Sequence, residues 1–255
     1  MKNIKLIQGD CLEVMKDIPD GSIDMILTDP PYGTISCSWD LVIPFKPMWK
    51  QLHRIIKKHG AIVLFGSEPF SSYLRLSNIK NFRYDWIWEK TTPGNISFVK
   101  RMPLKYHEII SVFYKKQCCY NRQMIKRNEL GRKRLQNKKN PIRFVGSNIQ
   151  GTKHIKRDYD INKYDSFVKN PSSILKFKKQ RGCFHPTQKP VKLLEYLIKT
   201  YTNKGETVLD FTMGSGSTII AALNTDRKAI GIELDENYFK IAQKRIKDHL
   251  GLFAD

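Results

Sequence analysis

The sequence predicts an α/β protein built on a doubly wound, mostly parallel sheet, and three observations carry that expectation. Short β-type runs alternate with helical patterns along the chain. Carboxylates stand at the ends of several of those runs, where open α/β sheets bind their ligands. One run enters a glycine-rich turn that opens a helix, VLDFTMGSGSTIIAAL over residues 208–223.

From the N-terminus, IKLIQ (4–8) reads as a strand followed by Asp10, and IDMIL (23–27) as a buried strand followed by Asp29. PMWKQLHRIIKKH (47–59) has the apolar spacing of a helix, with His53 and His59 expected on the surface. AIVLF (61–65) is a strand followed by Ser67 and Glu68. YDWIW (84–88) and EIISVFY (108–114) read as strands, the alternating Trp86 and Trp88 being expected to pack rather than to stack on a ligand. Trp39, in GTISCSWD, fits a core anchor and a lid over the site equally well. After an aperiodic stretch, PVKLLEYLIKTY (190–201) is helical, TVLDF (207–211) is a strand containing Asp210, AIGIEL (229–234) a strand containing Glu233, and ENYFKIAQKRIKDHL (236–250) a helix.

The 255 residues are enough for one large core, and the net charge of +21 favours a polyanionic partner. That charge is concentrated. Residues 115–181 hold 20 Lys/Arg against four acids, a net +16, and Tyr114, Tyr120, Phe144, Tyr159, Tyr164 and Phe177 lie in or beside them. Aromatics among basic residues suit a nucleic-acid surface. The segment is expected to be an inserted recognition region between residues 1–114 and 182–255. Five cysteines form no CxxC pair or zinc spacing, which suits reduced thiols, and no metal site is expected. The start MKNIKLIQGD lacks the apolar stretch of a secretion signal, and no apolar run approaches the roughly 20 residues of a membrane span. A cytoplasmic protein with no membrane contact is expected.

The turn after Asp210 narrows the ligand. Dinucleotide turns carry a third glycine, whereas Gly216 is followed by Ser217, Thr218 and Ile219. They also set phosphate on the helix N-terminus, where the Asp210 carboxylate would repel it. A ligand with a nucleoside and a cationic end fits better, its ribose hydroxyls held by Glu233. S-adenosylmethionine is such a ligand.

The stretch DPPY (29–32) follows the second strand after a single residue, Thr28. Two prolines remove two N–H donors and hold the backbone extended. A planar amine entering there can donate one hydrogen to the Asp29 carboxylate and one to the Pro30 carbonyl, while Tyr32 stacks on its ring. Two acceptors draw the amine from planarity and free its lone pair to attack a methyl sulfonium. A base in a duplex reaches such a niche only when flipped out.

With these motifs in order, the chain resembles a β-class S-adenosylmethionine-dependent amino-DNA methyltransferase over nearly its whole length. The resemblance implies a Rossmann-like class I methyltransferase domain with permuted motif order and an inserted target-recognition region. It implies that DPPY, with Asp29, Pro30, Pro31 and Tyr32, is catalytic, and that Asp10 and Cys11 in GDCLEVM lie near the target base or cofactor adenine. KYHEIISVFYK (105–115) resembles a family segment close to the target pocket. Thr187, Gln188 and Lys189 in HPTQKP would meet the methionine end of the cofactor. Asp210, Phe211, Thr212, Gly214, Ser215, Gly216 and Ser217 would form the glycine loop, with Glu233 and Leu234 at the ribose. Phe211-Thr212-Met213 stands where many relatives have Pro-Phe, which concerns the shape of the turn. Double-stranded DNA is the implied partner and a cognate restriction endonuclease a further one; monomer and homodimer both stay open. An Asp in first position, here Asp29, usually goes with adenine in this family. Methylation of the cytosine N4 amine or of RNA, and a non-catalytic DNA-binding module on the same fold, are the alternatives.

Overall fold

A computed structural model describes residues 3–33, 41–136, 167–178 and 188–251. Two compact units divide them: Met1–Asn121 with Ser172–Asp255, and Arg122–Pro171. The strands of the first unit are β1 (Ile4–Gln8), β2 (Ile23–Thr28), β3 (Ile56–Gly66), β4 (Phe82–Glu89), β5 (His107–Phe113), β8 (Ile174–Lys176), β9 (Thr207–Asp210) and β10 (Lys228–Glu233). Its helices are α1 (Cys11–Val14), α2 (Phe45–Ile55), α3 (Phe70–Ser77), α5 (Val191–Tyr201), α6 (Ser217–Leu223) and α7 (Glu236–His249). The second unit holds an antiparallel pair, β6 (Ile125–Lys126) with β7 (Val168–Lys169), and α4 (Glu129–Gln136).

The eight strands form one sheet in the order β1-β10-β9-β2-β3-β5-β4-β8. β5 is antiparallel to both of its neighbours, and every other pairing is parallel. The predicted doubly wound, mostly parallel sheet is therefore present. Central strands are apolar in both parities because helices cover both faces. Met25 and Leu27 of β2 point to the side of Leu193, Leu197 and Ile246, while Ile26 points to the side of Met15, Leu52 and Leu74. β2 and β9 are adjacent, yet the chain runs from β2 to β3 on one side and from β9 to β10 on the other. Their carboxyl ends flank a topological switch point, where such sheets open a crevice.

One boundary differs from expectation. The helix predicted to reach His59 stops at Ile55, and Ile56 begins β3 by pairing with Ile23. HRIIKKH carries apolar spacing that a helix or a strand can use, and pairing with β2 decides. A Cβ on Gly60 would lie 2.7 Å from the Asp24 carbonyl oxygen, so close an approach of the two chains needs glycine there. His59 is exposed as expected, whereas His53 is half-buried, its ring stacked on Trp49 at 5.6 Å. Trp86 and Trp88 are buried and serve packing, their indole N–H groups donating to the Tyr201 hydroxyl at 2.6 Å and the Phe177 carbonyl at 3.0 Å. Trp39 lies outside the described residues. Among the described residues no helix is long and apolar enough to cross a membrane.

Candidate active site

A cavity of about 690 Å³ opens at the carboxyl ends of β1, β10, β9 and β2. That volume falls within the roughly 300–1,000 Å³ of small-molecule sites. Asp10, Asp29, Asp210 and Glu233 all line it, so four strand-end carboxylates converge as the sequence suggests. Glu68 does not join them. It accepts from Ser72 N at 3.1 Å and pairs with Arg75 at 2.6 Å, because α3 begins two residues later and its open N–H groups claim the nearest carboxylate.

The glycine turn is held from three sides. Gly214, with φ of 51°, donates its N–H to Glu233 Oε2 at 2.7 Å, and Asp235 N donates to Glu233 Oε1 at 2.9 Å. Ser215 donates to the Gln188 side chain at 3.1 Å. Arg245, reaching across from α7, donates to the Ser215 carbonyl and the Ser217 hydroxyl, each at 2.9 Å. Gly216, with φ of 80°, faces away from the cavity: a Cβ there would lie 3.1 Å from the Ile246 side chain. Cys11, Gln188, Phe211, Thr212, Ser217 and Leu234 line the cavity, while Thr187 lies outside the described residues.

Asp210 is buried at the base of the turn and accepts from the Thr28 hydroxyl and from Thr212 N. Burial pushes its carboxyl up to about 6, against the pull of the hydroxyls of Thr218 and Thr28 and of Thr212 N–H. Burial also raises Glu233 above its ordinary value. A cationic group in the cavity would favour the charged form of both.

DPPY lies beside this turn. Thr212 donates its hydroxyl to the Asp29 carbonyl at 3.1 Å, tying the end of β2 to the loop after β9. Tyr32 donates to Asp29 Oδ1, and its ring stacks on Phe70 with centroids 5.0 Å apart. Lys189 donates to Asp29 Oδ2, lies 3.3 Å from Glu108 Oε2 and sits 5.2 Å over the Phe65 ring. Lys90 pairs with Glu108 at 2.8 Å. Burial lifts Asp29 above the usual carboxylate range against the pull of Lys189 and Tyr32. For Glu108 the Lys189 and Lys90 ammoniums outweigh burial and hold it low, and the two carboxylates keep the buried Lys189 protonated.

Thr28, Arg245 and Lys90 are contacts the sequence reading missed. Each joins residues remote in the chain, and no local spacing signals them. The position of Glu108 was signalled only by its neighbourhood within KYHEIISVFYK.

The strand order, the glycine turn after β9 and the acid closing β10 define a Rossmann-like class I methyltransferase. The chain belongs to the DNA methylase family, whose model matches residues 23–244, and is a DNA methyltransferase. It is 27% identical over 268 residues to the DNA adenine methyltransferase YhdJ of Escherichia coli, covering 94% of this chain and 82% of that one. The crystal structure of an M1.HpyAVI–SAM complex aligns with a TM-score of 0.61 at 25% identity, covering 95% of this chain and 99% of that one. The cytosine-N4-specific PvuII DNA methyltransferase shares the fold, with a TM-score of 0.65 at 16% identity over 98% of this chain and 92% of that one.

Proposed function

We propose that the protein moves a methyl group from S-adenosylmethionine to the exocyclic N6 amine of adenine in duplex DNA, with the target base flipped out. The observation that carries this is the shared cavity: Asp29 of DPPY and the Asp210–Glu233 turn line one space at the ends of adjacent strands. Glu233 holds the ribose hydroxyls, since a carboxylate oxygen that takes one backbone N–H keeps a second acceptor site. Asp210 faces the cationic end, and Asp10, Cys11, Gln188 and Leu234 complete the walls. Thr187 and the remaining loop residues belong to the same cofactor side. Bound S-adenosylmethionine supplies an electrophilic methyl group.

Asp29 and the Pro30 carbonyl accept the two amine hydrogens and hold the lone pair toward that methyl group. As the N–C bond forms the methyl–sulfur bond breaks, a neutral thioether leaves, and the amine proton that is shed passes to the Asp29 carboxylate. Each Asp29 oxygen already accepts a hydrogen bond, so the amine takes a second acceptor site on one of them or replaces its donor. Lys189 can yield, because Glu108 is there to keep its charge paired. Tyr32, backed by Phe70, stacks the base. Within the expected target-recognition region 115–181, inserted between 1–114 and 182–255, the unit Arg122–Pro171 reads the duplex, while β8 belongs to the main sheet. The adenine amine is favoured by Asp29 in DPPY and by the likeness to YhdJ.

The test is to express the protein in a methylation-deficient host and digest the genomic DNA to nucleosides for mass spectrometry. N6-methyladenine is expected. N4-methylcytosine overturns the base, and modified RNA beside unmodified DNA overturns the substrate.

A further inference from the structure

Between β4 and β5, residues 90–106 form a tightly built loop at the same edge of the sheet as Asp29. Lys90 N donates to the Tyr106 carbonyl at 2.7 Å and Gly94 N to the Lys105 carbonyl at 3.1 Å, closing its neck. Asn95 braces the interior, donating to the Pro103 carbonyl at 3.0 Å and accepting from Lys105 N at 2.7 Å. A single 3-10 turn, Ile96–Phe98, shapes the tip. This ordered tip holds its apolar side chains outward: Ile96 is 64% exposed, Val99 56%, Met102 49% and Phe98 48%. Clustered apolar groups held in water mark a contact surface. Residues 90–106 contain Lys90, Lys100, Arg101 and Lys105 and no acid, and Lys100 and Arg101 are exposed beside the apolar tip.

The loop is also continuous with the site. Lys90, at its start, pairs with Glu108, which pairs with Lys189, which pairs with Asp29. Lys105, at its end, donates to Ser67, just past β3.

We infer that this loop is a DNA wedge: its apolar tip fills the stack beside the extruded base while Lys100 and Arg101 hold the flanking phosphates. Resting on the DNA methyltransferase reading above, the assignment follows from charge and from place. Protein interfaces deplete lysine at their centres, whereas an apolar tip flanked only by cations matches stacked bases between phosphates. Extruding a base leaves a gap in the stack, and side chains that fill it stabilise the opened duplex.

The test uses the full-length protein and duplexes carrying the sequence it modifies, read by long-read sequencing of the host DNA. The target base is either paired or placed opposite an abasic position. F98S/V99S should lose at least tenfold in kcat/KM on the paired duplex and stay close to wild type on the abasic-opposed one, where no pair need be broken. Its S-adenosylmethionine affinity by calorimetry should match wild type. K100Q/R101Q should make the salt dependence of DNA binding shallower, by roughly one slope unit per phosphate contact removed. An equal loss on both duplexes, or no loss on either, overturns the wedge. An unchanged salt slope overturns the phosphate contacts, and a dimer that F98S/V99S turns into monomers in sedimentation assigns the tip to a protein interface instead. Host DNA without any modified base sinks the parent reading, a failure seen with wild type before the loop is altered.

Discussion

Lys189 and Asp29, 160 residues apart in the chain, form a largely buried ion pair in the lining of the cavity. Resemblance alone places Lys189 at the methionine end of the cofactor, yet its ammonium points at the carboxylate of DPPY. A buried carboxylate beside a cation stays ionised further into acid than one without. Lys189→Met should therefore raise the Asp29 pKa further and move the acid limb of the kcat/KM–pH profile up, by roughly one to three pH units. A limb that does not move would show that the pair does not set the charge on Asp29.

Asp210 gives a pH dependence of its own. Its carboxyl sits at about 6 against an ordinary 3.8, so the folded protein holds a proton there that the unfolded chain releases. Stability should fall as pH rises from about 4 through about 6, by at most ~3 kcal/mol, and Asp210→Asn should flatten that slope in urea titrations. Cofactor affinity should run the other way, tightening as pH rises through about 6, because a cationic ligand favours the ionised form. A pH-independent dissociation constant for wild type would place the cationic end elsewhere.

Glu233→Ala should weaken S-adenosylmethionine by roughly 1–3 kcal/mol, through the lost ribose acceptor and the loss of the anchor for Gly214 N–H. DNA affinity without cofactor should hardly change. Calorimetry beside a filter-binding assay separates the two, and an unchanged cofactor dissociation constant would mean the pocket is misassigned.

The sheet and the convergence of Asp10, Asp29, Asp210 and Glu233 were legible because each rests on local pattern: an apolar run, then an acid. Glu68 obeyed the same pattern and went elsewhere, since a helix start two residues on competed for it. The boundary at Ile56 was illegible because its apolar spacing serves two structures and only the Ile23 partner decides. Thr28, Lys90 and Arg245 acquire their roles across the sheet or between helices, and sequence order carries no record of such distances.

Recognition by residues 115–181 predicts a measurable salt effect. Lys126 and Lys169 are exposed on the paired strands β6 and β7. Converting both to Gln should make the slope of log K against log salt shallower by roughly one per phosphate contact removed, with cofactor affinity unchanged. A slope that responds instead only to the basic helix α2 would mean that the DNA crosses another face.

The central claim is that Asp29 acts on the target amine while Asp210 and Glu233 serve the cofactor. Transfer of tritiated methyl from S-adenosylmethionine to duplex DNA, measured for Asp29→Ala beside calorimetry of cofactor binding, tests it most directly. The account predicts a loss of transfer of about 10²–10³-fold or more with cofactor affinity close to wild type. Substantial residual transfer, or a loss explained by failure to bind the cofactor, would contradict it.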